Sequence, residues 1–128
     1  MAPARVLRIL VVDDEADLVA TYCRLFRRQG YDVESAGTRA GGLALIESAS
    51  PDLVIADLEL PDGDGLDLVR AACAAPVPSR AIVVSGVLAS GVREDAMAAG
   101  ASAFVAKPFS LGALGDLVRS LLEATAGR

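Results

Sequence analysis

Continuous apolar runs alternate with amphipathic stretches along the whole chain. Residues 6–12, Val-Leu-Arg-Ile-Leu-Val-Val, are nearly all aliphatic or β-branched, as in a strand buried on both faces of a parallel sheet, and the run stops on Asp13-Asp14-Glu15. Leu18, Val19, Tyr22, Leu25 and Phe26 then recur on one helical face, with Gly30 as the stop. Residues 31–36 alternate, which predicts a less buried strand at the sheet edge. Thr38 is placed to cap a second helix carrying Ala40, Leu43 and Ile46 and ended by Pro51, although Gly41 and Gly42 lower its propensity. Residues 53–56 read as a third strand that stops on Asp57, followed by a turn over 61–65. A third helix presents Leu66, Val69 and Cys73 on one face until Pro76-Val77-Pro78 ends it. Residues 81–84 form the fourth buried strand, running into Ser85-Gly86, and a Gly- and Ala-rich helix follows over 91–99. Val92 and Met97 are that helix's only large apolar anchors, so it is expected to be the most mobile, and Gly86 and Gly91 predict a loose loop before it. A short fifth strand over 103–106 leads to Lys107-Pro108, and Ser110 caps a last helix with Leu111, Leu114, Leu117, Val118, Leu121 and Leu122.

Five strands alternating with five helices indicate an α/β fold, a doubly wound parallel sheet with helices on both faces. The 128 residues, 53% hydrophobic and 23% charged, fit one domain over 1–128, with an ordered core over 5–125 and no repeat or linker. Charged residues interrupt every apolar segment well before the roughly 20 residues of a membrane span, and residues 1–5 show no cleavage site. A cytoplasmic, unprocessed protein is the expectation. A formal net charge of -5 argues against a nucleic-acid surface, which needs clustered cations to neutralise phosphates. Cys23 and Cys73 lack metal-ligand spacing and read as two buried thiols. Histidine is absent, so any phosphohistidine chemistry must come from a partner.

In open α/β sheets, sites form beyond the carboxyl ends of the strands. Here those ends deliver Asp13 and Asp14, Asp57, Ser85 and Lys107. Adjacent acids such as Asp13-Asp14 commonly serve only as helix N-terminal residues; their placement together with the other three is what points to chemistry. Three converging carboxylates repel one another and call for a cation, and oxygen donors without His or thiolate suit Mg²⁺. Asp57 can then act as a nucleophile toward phosphorus, forming an aspartyl phosphate. Lys107 offers a point charge to phosphoryl oxygens and Ser85 a hydroxyl donor. The acids at 62, 64 and 67 lack the spacing and closing Glu of a calcium loop, which leaves a turn and helix start.

These motifs resemble the receiver domain of bacterial two-component response regulators. The likeness covers essentially the whole chain: Val11-Val12-Asp13-Asp14-Glu15, the stretch from Pro51 through Asp57 to Gly65, Val84-Ser85-Gly86, and Gly100-Ala101 through Phe104 and Lys107-Pro108-Phe109. The resemblance implies a flavodoxin-like sheet of order 2-1-3-4-5. It implies that Asp57 accepts a phosphoryl group from a sensor histidine kinase or phosphotransfer protein. Mg²⁺ would be held directly by Asp14 and Asp57, by Asp13 through water, and by the Glu59 backbone carbonyl. Ser85 and Lys107 would engage the phosphoryl oxygens, and Phe104 would be the aromatic switch residue. Phosphorylation would reshape the surface of the fourth helix, fifth strand and fifth helix for an output domain or a homodimer. Lys107-Pro108 matches the family's cis peptide, whereas the sequence alone favours trans. Ser85 stands where threonine is commoner, and Glu59 and Val87 occupy positions that tune loss of the phosphoryl group. Two other readings stay open: a small aspartate-nucleophile phosphatase with Glu59 as general acid, and a receiver-like interaction module that does not use phosphate.

Overall fold

In the computed structural model, which describes residues 5–87 and 90–126, the strand β3 (Leu53–Asp57) is buried along its whole length. Its alternate side chains feed different cores, because successive strand residues face opposite sides of a sheet. Leu53 and Ile55 join Ile9 and Val11 of β1 (Arg8–Val12) and Ile82 and Val84 of β6 (Arg80–Ser85). On that face they meet Tyr22, Cys23 and Phe26 of α1 (Ala16–Arg28) and Leu114, Val118 and Leu122 of α5 (Leu111–Ala126). Val54 and Ala56 point the other way with Leu10 and Val12, onto Ile46 of α2 (Arg39–Ala49) and Leu68 and Ala72 of α3 (Leu66–Ala74). Ala81 and Val83 complete this second face with Leu66, Val69 and Ala96, the last from α4 (Val92–Ala98).

All strands of the main sheet are parallel, in the order β2-β1-β3-β6-β7, with β2 (Asp32–Ala36) and β7 (Ala103–Ala106) at the edges. Since β6 and β7 are its fourth and fifth strands, this is the flavodoxin-like order 2-1-3-4-5. Where the sequence predicts only a turn, β4 (Glu59–Leu60) and β5 (Gly63–Asp64) pair as a small antiparallel hairpin. No described helix is long and apolar enough to cross a membrane.

Two helix faces differ from the sequence expectation. The buried residues of α3 are Leu66, Leu68, Val69 and Ala72, while Cys73 is exposed, its thiol donating to the Gly100 carbonyl at 3.5 Å. One buried thiol, Cys23, therefore stands in place of two. On α4 the buried anchor is Ala96, and Met97 is exposed. Ala96 packs there with Ala81, Val83 and Ala101. Residues 88 and 89 of the loop expected before α4 lie outside the described residues.

Candidate functional site

Strand register brings the sequence-selected residues to one end of the sheet. Val12 pairs with Ala56, which sets Asp13 beside Asp57; Asp57 pairs with Val84, next to Ser85; and Ser85 pairs with Ala106, next to Lys107. The Lys107 N–H donates to the Ser85 carbonyl at 2.8 Å, which extends that pairing by one residue. The Lys107-Pro108 peptide is cis, as the resemblance implies and against the preference of the sequence alone.

Two buried carboxylates share one bonding pattern. Asp13, 3% exposed, accepts the Glu15 N–H on Oδ1 at 2.9 Å, and Asp57, 5% exposed, accepts the Glu59 N–H on Oδ1 at 3.0 Å. Their second oxygens accept from Lys107 Nζ, at 3.0 Å for Asp13 and 3.2 Å for Asp57. Buried acids need such partners, because a bare carboxylate in the interior is costly. Burial nevertheless lifts the Asp13 carboxyl above the usual carboxylate range, against the pull of the Glu15 N–H and of Lys107. Burial alone would lower the Lys107 ammonium, but Glu15, Asp13 and Asp57 outweigh it and hold it above its ordinary value.

Asp14 stays exposed, yet one oxygen from each of Asp13, Asp14 and Asp57 lies within 4.8 Å of the others. A hard divalent cation fits this set: the donors are carboxylate oxygens, two fixed and one free to adjust, with Asp14 open to solvent for retained waters. Behind Asp57 the backbone passes close at Gly65. A Cβ there would lie 2.0 Å from the Asp57 carbonyl oxygen, so only glycine lets the chain turn back behind this strand end.

Ser85 is fully buried, and its Oγ accepts the Val87 N–H at 3.0 Å. Phe104 of β7 is half-buried and packs beside Leu66, Val69, Val83 and Ala96. Glu59 is exposed at the start of β4. In the sequence Glu15 stands out only as part of a motif, but its Oε1 is the third acceptor on Lys107 Nζ, at 2.9 Å. The signal available for it was its place directly after two acids at a strand end.

The sequence profile described as the response regulator receiver domain matches residues 9–119. The transcriptional regulatory protein KdpE of Mycobacterium tuberculosis is 38% identical over 106 residues, covering 80% of this chain and 45% of that protein. The chain thus spans about half the length of the curated relatives it matches. Among solved structures, a CheY-like response regulator receiver domain protein from Methanospirillum hungatei superposes with a TM-score of 0.86 at 30% identity, over 97% of this chain and all (100%) of that one. A response regulator from Burkholderia pseudomallei, solved with a phosphorylated aspartic acid, a calcium ion and citrate, gives 0.79 at 28% identity, over 94% of this chain and 72% of that one. With the profile matched from the first strand into the last helix, and a receiver domain protein superposing over nearly the whole chain, the chain belongs to the response regulator receiver domain family.

Proposed function

We propose that Asp57 is the phosphoacceptor of this receiver, taking its phosphoryl group from a phosphohistidine on a sensor kinase or phosphotransfer protein in the cytoplasm. The observation that carries this reading is the pair of buried carboxylates, Asp13 and Asp57, bridged by one lysine ammonium with Asp14 in reach. In the transfer, an Asp57 carboxylate oxygen forms a bond to phosphorus as the phosphorus–nitrogen bond breaks, and the departing imidazole keeps the electron pair and takes up a proton. The Glu59 N–H fixes one oxygen of Asp57 and so orients the other for attack. Lys107 would follow the charge onto the phosphoryl oxygens, and the Ser85 hydroxyl would donate to another.

Mg²⁺ would be held by Asp13, Asp14 and Asp57 with the Glu59 backbone carbonyl, and when bound it supplies positive charge against the clustered carboxylates and the phosphoryl oxygens. Movement of Ser85 toward the phosphoryl group would vacate space for Phe104 to turn inward, which shifts the population of states at the α4, β7 and α5 surface. That surface would then engage an output domain or a second copy. As in the Burkholderia regulator with its phosphorylated aspartic acid, the modified group is a carboxylate. Incubation with Mg²⁺ and acetyl phosphate should add one acid-labile phosphate per chain without continuing turnover. Asp57→Asn should abolish it; labelling that survives this change would rule Asp57 out.

A further inference from the structure

Glu15 stands at the N-cap of α1, where a side chain ordinarily accepts from the helix's free N–H groups. It does not do so. Its backbone is extended and its carbonyl takes the Val19 N–H at 3.0 Å, but its side chain makes no cap bond and reaches Lys107 Nζ instead. At 2.9 Å this is the shortest of the lysine's three contacts, and three acceptors occupy all three ammonium hydrogens. The same helix holds the lysine's segment further along, since the Tyr22 ring stacks on Phe109 with centroids 5.9 Å apart and planes at 13°.

We infer that Glu15 is a positioning residue that parks Lys107 at the mouth of the site and competes with the phosphoryl group for its ammonium. This rests on the reading that Asp57 is phosphorylated and that Lys107 follows the phosphoryl oxygens. An ammonium with three filled donors cannot take on a phosphoryl oxygen without releasing an acceptor. Asp13 is the poor choice, because its side chain, 3% exposed, cannot be rehydrated by solvent when the lysine leaves. Asp57 is the reacting group itself. The Glu15 side chain, 60% exposed, is rehydrated on release and gives up the lysine at least cost. An acid at this position therefore slows capture of the lysine by the phosphoryl group, and a neutral residue removes that brake.

Lys107 is the only lysine among the 12 Lys and Arg residues, so selective isotopic labelling of lysine yields one side-chain resonance that reports on this contact. The full chain, with Mg²⁺ and acetyl phosphate, is compared with Glu15→Gln and with Asp17→Asn. The second removes an equal charge from the first turn of the same helix, from a carboxylate outside the lysine's bonds. Glu15→Gln should raise the initial labelling rate about two- to fivefold, the range for an exposed ion pair. It should also shift the Lys107 resonance, while Asp17→Asn changes neither. Normal labelling of the wild type with an unchanged or slower Glu15→Gln variant, or an equal gain from Asp17→Asn, overturns the competition and leaves Asp57 as acceptor. Absence of labelling in the wild type overturns both.

Discussion

Tyr22 is fully buried between Phe26 and Phe109, and its hydroxyl has no hydrogen-bond partner among the described residues. Burial raises the phenol well above its ordinary value, with Asp13 adding to the effect, so the hydroxyl stays neutral across the range in which the protein works. A buried donor without a partner costs roughly 1–3 kcal/mol, whereas the ring packing depends on the aromatic face alone. Tyr22→Phe keeps both stacks and removes the orphaned group. It should stabilise the fold by about 1 kcal/mol, read as a higher denaturant midpoint at unchanged slope. A lower midpoint would mean that the hydroxyl is satisfied in solution and helps to hold the site above it.

The N-terminus of α2 shows how an element is fixed by residues far apart in sequence. Thr38 caps it locally, its side chain accepting the Gly41 N–H at 3.0 Å, as the sequence predicts. Asp62, from the turn between β4 and β5, accepts the Arg39 and Ala40 N–H groups at 2.6 and 3.0 Å. Those bonds hold the Asp62 carboxyl below the usual carboxylate range. A carboxyl with a lowered folded-state pKa contributes stability above its unfolded pKa and loses it as pH falls through the folded value. Asp62→Asn should therefore unfold more easily than the wild type at neutral pH, and the difference should close as pH drops below about 4. A constant gap from neutral to acid pH would show that the charge contributes nothing. Local pattern could reveal Thr38 but not Asp62, whose acids looked like a turn and whose bonding partners lie more than twenty residues earlier. Nor does pattern show why the helix keeps Gly42 despite its low propensity: a Cβ there would meet Leu68 at 2.8 Å and Val12 at 2.9 Å. Cys73 and Met97 failed for a related reason: helical spacing says which residues share a face, and only the distance to the neighbouring element says which of them that neighbour covers.

Across the whole molecule, the strand-end cluster was legible because sheet topology is. Once alternating runs imply a doubly wound sheet, Asp13, Asp57, Ser85 and Lys107 must arrive at one edge, and the register places them there. What topology could not give is the charge balance: one ammonium holds two buried carboxylates and Glu15 in a chain of net charge -5. Lys107 thus has a structural share in the resting protein beside its proposed chemical one. Lys107→Met keeps most of the aliphatic stem and removes the charge, leaving Asp13 and Asp57 facing each other without a cation. Breaking a buried pair in this way costs about 3 kcal/mol or more, and the loss should appear in unfolding measured in chelator. If Asp13, Asp14 and Asp57 hold a divalent ion, Mg²⁺ supplies the missing charge and no longer competes with the ammonium. The variant should then gain more stability from Mg²⁺ than the wild type does, by the linkage that makes any folded-state ligand stabilising, and should bind the ion more tightly. A stability gap that Mg²⁺ does not narrow would show that the three carboxylates do not act together as its site.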